Sequence, residues 1–327
     1  MFNKNPPFEI TNEMLSEVIT ISELATKAAM SDLKSPDPVL RRTNRIRSVY
    51  SSLAIEQNTL TLDQVTAVLA GKRVIAPPKD IEEVRNAFEI YEHMDQLNPY
   101  SVDSLLLAHG VLTKGLVEES GMFRSRPVGV VDKAGNILHF GTLPAYVPDL
   151  VEKLLCWVET SEVPMLIKSC VFHYELELIH PFGDGNGRLG RLWHTLLLSQ
   201  WNPVFAWLPV ESMIHDHQDE YYAAINESNA AGESTVFISF MLAMIREALE
   251  EAVSTLPREG TKSERRWSAI ETFLSRREYI QSQDVQKLFG VSSATASRIL
   301  SGFCKEGLLE KVRRGSYWVY QITQDQT

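Results

Sequence analysis

The 327-residue sequence predicts a mainly α-helical protein, with one β-hairpin set into the helical part and a smaller helix-and-hairpin unit at the C-terminal end. Three observations predict it. Apolar residues recur at three- and four-residue spacing over most of the chain, as helices with one buried face require. The pattern turns β-like only near 126–141 and near 308–320. Charge is unevenly divided as well. The net charge is −10, yet from Thr261 onward about 11 basic residues face about 7 acidic ones. That leaves about +4 at the end and about −14 before it, which predicts two modules with different partners.

Composition is that of a soluble globular protein, with 44% apolar and 23% charged residues. The acidic balance argues against nucleic-acid binding by the whole surface. Cys156, Cys170 and Cys304 show no paired spacing, so neither a disulfide framework nor a metal site of paired cysteines is expected. The first residues lack an apolar signal core, and no apolar run approaches the ~20 residues of a membrane span. The expected location is cytoplasmic, away from membranes.

In order, residues 11–30 read as a helix with Leu15, Val18, Ile19, Ile21, Leu24 and Ala25 near one face and Thr11 or Asn12 as its cap. Pro36 and Pro38 break it. A second helix runs from Pro38 to about Ala54, with Ile46, Val49, Tyr50 and Leu53 as apolar positions. A short third helix opens at Thr61 with Gln64 three residues on, a capping-box spacing. Helices follow at about 79–96 and 101–115. Arg126–Val131 and Asn136–Gly141 then read as a hairpin turning through Asp132–Gly135. A lone hairpin is marginal unless it packs on something, so a flap over a site is expected.

Helices resume at about 146–159, 162–178, 214–231 and 235–254, and another begins at Leu192–Leu198. Pro257–Lys262 has linker composition. The last part reads as three helices (264–275, 282–290 and one from Ser292) and a hairpin around Arg313-Arg314-Gly315-Ser316.

The chemistry is concentrated in His180-Pro181-Phe182-Gly183-Asp184-Gly185-Asn186-Gly187-Arg188-Leu189-Gly190-Arg191. No packing demand asks for one imidazole, one carboxylate, two guanidiniums and four glycines together. A glycine-rich turn opening a helix makes an anion site from free N–H groups and the helix dipole. Arg188 and Arg191 share a helix face and suit a polyphosphate. Asp184 suits Mg²⁺, which uses one or two carboxylates plus substrate phosphates. His180 is the nearby base that works near neutral pH, and Phe182 is expected to anchor the loop inward. Together these parts describe phosphoryl or nucleotidyl transfer. The loop is not a Walker A motif.

These twelve residues resemble the Fic-domain signature, HPFx(D/E)GNGRxxR, at every defined position, and the likeness extends over roughly residues 40–250. The resemblance implies a Fic-type helical core with a β-hairpin flap. It implies an enzyme, a protein adenylyltransferase that moves AMP from ATP to a Ser, Thr or Tyr hydroxyl of a target protein or of itself. His180 would be the base. Asp184 would hold Mg²⁺. Gly185, Asn186 and Gly187 would form the anion hole, with His180, Asn186 and Arg188 as catalytic residues. Arg188 would contact phosphate oxygens, and Arg191 would bind the γ-phosphate. Relatives that transfer phosphate carry lysine where Gly187 stands, so glycine implies AMP transfer. The flap, residues 126–142, would align a target segment by strand addition. Tyr222 and Asn229 match positions lining an adenine pocket.

Ser52-Leu53-Ala54-Ile55-Glu56 resembles the family's inhibitory motif, (S/T)xxxE(G/N), and implies autoinhibition. Glu56 would pair with Arg191 in place of the γ-phosphate, with Ser52 one turn earlier. Gln57 replaces the usual glycine or asparagine. It lacks their tolerance of left-handed backbone, so the helix is expected to end differently and the brake to be looser.

The expected organisation is a helical region 1–100 carrying the inhibitory helix around 40–56, a catalytic core 101–256, and a winged helix-turn-helix 262–327. That last module implies DNA contacts by Ser293, Thr295 and Arg298 in the major groove and by Arg313 and Arg314 on phosphates. It serves equally for dimerisation into a homodimer or for target docking. The alternatives to AMP transfer are a DNA-binding regulator whose core senses nucleotide, or an enzyme that mainly removes AMP.

Overall fold

The computed structural model describes residues 5–30, 38–131, 137–254, 262–275, 277–315 and 317–323. Two compact units divide the chain, Met1–Leu256 and Pro257–Thr327. The first contains α1 (Asn12–Met30), α2 (Pro38–Ile55), α3 (Leu62–Leu69), α4 (Pro78–Glu92), α5 (Val102–Leu112), β1 (Gly129–Val131), β2 (Ile137–Phe140), α6 (Val147–Thr160), α7 (Met165–Ile179), α8 (Asn186–Trp201), α9 (Val210–Asp216), α10 (Gln218–Ala231) and α11 (Thr235–Ser254).

The organising pair is α7 and α8. Both are buried nearly all round, polar side chains such as His173, Glu175, Arg191 and His194 included. One side of α7, with Ile167, Cys170, Val171 and Tyr174, joins α1 and α9–α11 in a core built on Phe237, Met241 and Ile245. The other side, with Phe172 and Leu176, joins Trp193 and Leu196 of α8 and the inner faces of α2–α6. Phe172, Trp193 and Phe237 are fully buried, each stabilising by about 1.5–3 kcal/mol through lost water contact. The turn between α7 and α8 is therefore held between two anchored helices.

Capping follows the sequence where the sequence is explicit. Thr61 and Gln64 form both halves of a capping box at α3, and Ser101 caps α5. The helix expected at 214–231 is instead two, α9 and α10, broken at His217 (φ −112°, ψ 38°). The uniformly polar run His215–Gln218 gives an apolar period nothing to mark. The strands pair antiparallel, Gly129 with Phe140 and Val131 with Ile137, with a register shift between Val130 and Val131. The expected turn Asp132–Gly135 lies outside the described residues, as does the linker up to Thr261.

The second unit holds α12 (Lys262–Leu274), α13 (Ser282–Phe289), α14 (Ser293–Lys305), β3 (Leu309–Arg314) and β4 (Tyr317–Ile322). Gly290 ends α13 in the left-handed region and Ser292 caps α14 through the Thr295 N–H, giving two helices joined by a tight turn. Ile270, Ile280, Val285, Leu300, Phe303 and Tyr320 form a core of its own. Three helices and a hairpin is the expected element order. Among the described residues no helix is long and apolar enough to cross a membrane.

Candidate active site

The turn after α7 is set by two residues in the left-handed region, His180 (φ 51°) and Gly185 (φ 86°). Gly185 has little choice, since a Cβ there would stand 3.0 Å from Thr113 Cγ2. Asn186 staples the turn with its side chain, accepting from the Phe182 N–H (3.0 Å) and donating to the Phe182 carbonyl (2.9 Å). Phe182 points inward as expected, 0% exposed and stacked on the His109 ring at 3.7 Å.

His109 was not legible in the sequence. The Gly121 N–H donates to its Nδ1, so its proton sits on Nε2, which donates to the Asp184 carbonyl at 3.0 Å. Burial lowers its pKa, favouring this neutral form.

His180 Nδ1 lies 3.3 Å from the Glu177 carbonyl and 3.9 Å from the Glu177 carboxylate. A proton on Nδ1 serves both, which leaves the basic lone pair on Nε2. Glu177 is a second residue that sequence reasoning missed. Burial, and then the nearby Glu56 charge, push its carboxyl up to about 7 against the pull of Arg191.

Asp184 accepts from the Gly185 N–H (2.6 Å) and from Arg188 Nη2 (2.8 Å) through one oxygen. Burial works against its charge, but Arg188 and the Gly185 N–H outweigh it and hold the carboxyl below its usual range. Among the described residues no three metal-ligating side chains gather. One ionised carboxylate beside a phosphate cradle fits Mg²⁺, which takes its remaining ligands from phosphate and water.

At the start of α8 the N–H groups of Asn186, Gly187 and Arg188 have no intrahelical acceptor. The two arginines beyond them are engaged by carboxylates. Arg188 donates to Glu83 at 3.1 Å as well as to Asp184. Arg191 is 1% exposed. It donates to Glu56 Oε1 (2.7 Å), to the Ser52 carbonyl (2.9 Å) and to Ser52 Oγ (3.1 Å). Burial opposes its charge, and Glu56 and its neighbours more than compensate, so its pKa rises. Gly187 is what lets Glu56 in: a Cβ there would collide with Glu56 Oε1 and stand 3.1 Å from Arg191 Nη1.

The expectation for Gln57 is corrected. Gln57 itself takes the left-handed conformation, at φ 66°. The Asn58 N–H bonds the Leu53 carbonyl and the Gln57 N–H bonds the Ala54 carbonyl, the bond pair of a Schellman cap. The helix ends as it would with glycine because Ile55 is held from outside, its carbonyl accepting from Gln218 Nε2 (3.0 Å) and Tyr222 OH (3.3 Å).

Tyr222 thus stands against the end of α2. Asn229, two turns further along α10, accepts from Tyr174 OH at 2.9 Å. In the second unit Ser293 and Arg298 are exposed on α14 and Thr295 is partly buried. Arg313 lies over the Trp318 ring, and Arg314 pairs with Glu278 at 3.0 Å. Glu83 and Arg124, like His109 and Glu177, belong to the site by tertiary placement and carry no sequence signal.

The profile of the Fic/DOC family matches residues 99–198. "Protein adenylyltransferase fic-1" of Caenorhabditis elegans is 32% identical over 208 residues, 59% of this chain and 38% of that one. "Protein adenylyltransferase Fic" of Nematostella vectensis is 30% identical over 206 residues, 59% of this chain and 45% of that one. The chain thus spans less than half the length of these curated relatives. The solved structure of Fic-1 (aa134 - 508) from C. elegans shares the fold, at TM-score 0.58 and 21% identity, over 74% of this chain and 71% of that one. The crystal structure of a Fic family protein from Desulfovibrio desulfuricans G20 matches over 99% of this chain and 100% of its own, with 38% identity and TM-score 0.75. With the signature turn built as above and a relative matched along its full length, the chain belongs to the Fic family.

Proposed function

We propose that the protein is an autoinhibited protein adenylyltransferase. His180 Nε2 takes the proton of a target Ser, Thr or Tyr hydroxyl. The hydroxyl oxygen bonds to the α-phosphorus of ATP, the bond from that phosphorus to the bridging oxygen breaks, and pyrophosphate leaves. The N–H groups at the start of α8 and the Arg188 fork hold the phosphates, and Arg191 receives the γ-phosphate. Mg²⁺, held by Asp184, would neutralise phosphate charge. The target segment pairs with the flap, residues 126–142. The observation that carries the reading is a carboxylate, Glu56, seated 2.7 Å from the arginine beyond the helix N-terminus, where an anionic phosphate belongs. The relatives named as adenylyltransferases support it.

The test uses α-labelled ATP and a cell lysate as the pool of targets. Glu56→Gly is expected to raise label in protein sharply over wild type. Adding His180→Ala lowers it by about 10²–10⁴-fold. No protein label from Glu56→Gly rejects AMP transfer, and equal label from wild type and Glu56→Gly rejects the brake.

A second reading of the same site is AMP removal. It is favoured by the exposure of the Glu56 side chain, 37%, which lets that carboxylate reach water. Incubating a labelled target without ATP tests it, and no AMP released over hours rejects it.

For the C-terminal unit we infer a winged helix that binds duplex DNA. The exposed residues of α14 include Ser293, Ser297, Arg298, Ser301 and Lys305, and α14 contains no acid. Lys311 and Arg313 flank Trp318, which is 53% exposed. A salt-sensitive mobility shift on random duplex, lost in Arg298→Ala/Arg313→Ala, is expected. No shift at low salt rejects it.

A further inference from the structure

One buried guanidinium joins the flap to the catalytic turn. Arg124, between α5 and β1, is 3% exposed. Its Nε donates to the His180 carbonyl at 2.7 Å and its Nη1 to the Arg126 carbonyl at 3.0 Å. Its Nη2 donates to the carbonyls of Thr142 and of Ile179, the latter at 3.4 Å. Its backbone N–H donates to the Pro181 carbonyl at 3.0 Å. Among the described residues no carboxylate pairs with it, and burial alone lowers its pKa.

A buried cation without a counter-charge persists only if its donors are satisfied. Here the acceptors come from two places. Ile179, His180 and Pro181 form the turn that carries the catalytic imidazole. Arg126 and Thr142 are the two ends of the flap. The approach is tight on the flap side, where a Cβ on Gly141 would stand 3.0 Å from Arg124 Nη2 and 3.4 Å from His180 Cβ.

The turn needs such a clamp. His180 is a non-glycine residue in the left-handed region, a conformation costing about 1–2 kcal/mol that survives only when its surroundings over-determine it. Arg124 holds the carbonyl of His180 and those on either side of it.

We propose that Arg124 is the positioning residue that fixes His180 relative to the flap, so that a hydroxyl on a flap-paired target segment meets the imidazole. The inference rests on the AMP-transfer reading. Arg124 acts through the His180 turn and the two flap ends, whose carbonyls it holds. Lysine at 124 keeps the charge but cannot span four carbonyls in a fork. Gly141→Ala disturbs the same joint from the flap side, with a methyl that meets Arg124 Nη2 and Val128 Cγ2, each at 3.0 Å.

The test places Arg124→Lys and, separately, Gly141→Ala in the Glu56→Gly protein. Three quantities are read: label transferred from α-labelled ATP to lysate protein, the calorimetric Kd for ATP, and hydrogen exchange of 126–131, 137–142 and 177–186. Each variant is expected to lower protein label by about 10- to 100-fold, the scale of an ångström-level misplacement. ATP affinity is expected to stay within about twofold, and exchange to rise in the flap stem and in 177–186 together. Undiminished label overturns the proposal. So does a loss of ATP affinity in step with label, or a rise in exchange confined to one segment. If Arg124→Lys does not fold, Gly141→Ala carries the test. If the Glu56→Gly parent labels no protein, the AMP-transfer reading falls, and the exchange measurement alone decides the coupling.

Discussion

Gln57, at φ 66°, sits where left-handed backbone costs a side chain about 1–2 kcal/mol, while glycine would lose about 0.5–1 kcal/mol in chain entropy. The strain outweighs the entropy. Gln57→Gly is therefore expected to stabilise by about 0.5–1 kcal/mol, a rise of about 2 °C in the melting temperature. An unchanged or lower melting temperature shows that the cap carries no strain. Glu175 makes a different residue-scale case. It is 0% exposed, and burial pushes its carboxyl up to about 7; neither oxygen has a hydrogen-bond partner among the described residues. Unfolded, it titrates near about 4.3. Because the folded value is raised, its contribution is fully present below the unfolded value and lost as pH rises through the folded one. Glu175→Gln is expected to leave the melting temperature near wild type at pH 5 and to raise it at pH 8, by up to about 3 kcal/mol of stability. Equal effects at both pH values contradict a buried neutral acid. Neither residue announces this behaviour in the sequence, because both the strain and the burial are imposed by neighbours distant in the chain.

Helix α2 carries Ser52 and ends beside Glu56, so the proposed brake requires it to be both ordered and releasable. Its buried face is unusually polar, with Asn44, Ser48, Ser51 and Ser52 among the buried positions. It docks through hydrogen bonds as well as through buried Ile46, Val49, Leu53 and Ile55. Glu211, 1% exposed, accepts from Ser48 of α2 (2.8 Å), Tyr91 of α4 (2.9 Å) and Thr195 of α8 (2.8 Å). Ser51 bonds Ser212 at 3.2 Å. A hydrogen bond to a charged group contributes about 1.5–3 kcal/mol. Ser48→Ala is thus expected to loosen α2 and raise AMP transfer by the otherwise wild-type protein, while leaving transfer by Glu56→Gly at the parent level. A rise of equal size in both backgrounds refutes docking as the cause. The sequence showed this helix and Glu56, because serine, the Ser-to-Glu spacing and the placement before the core are local facts, whereas the left-handed end at Gln57 went against the sequence expectation. It did not show Glu211, which reaches α2 from 163 residues away.

At the scale of the whole molecule, the two units have separate cores. Leu300 is 0% exposed in the smaller one. Leu300→Ala costs about 2–5 kcal/mol, comparable to what a core of that size supplies. Calorimetry is expected to show the smaller unit melting early or unfolded, with the transition of the larger unit in place. A single transition shifted as a whole contradicts independent cores. The charge asymmetry and the linker composition near 257–262 made this division legible in the sequence, because both are properties of composition.

The sequence by itself determined the helical class, the β-hairpin, the turn His180–Arg191 and the candidate brake at Glu56. Each is written within a few turns of chain, where periodicity, capping and compressed polar chemistry act. Only the tertiary structure decided which charges meet. Beyond the Glu56–Arg191 pair that the family resemblance implied, formed across 135 residues, Arg188 finds Glu83 across 105 and Arg124 finds the carbonyls of two separate segments. The physical reason is that a buried ion must be satisfied by whatever the packed helices bring to it. That depends on how α2, α4, α7 and α8 stack, which no local pattern encodes.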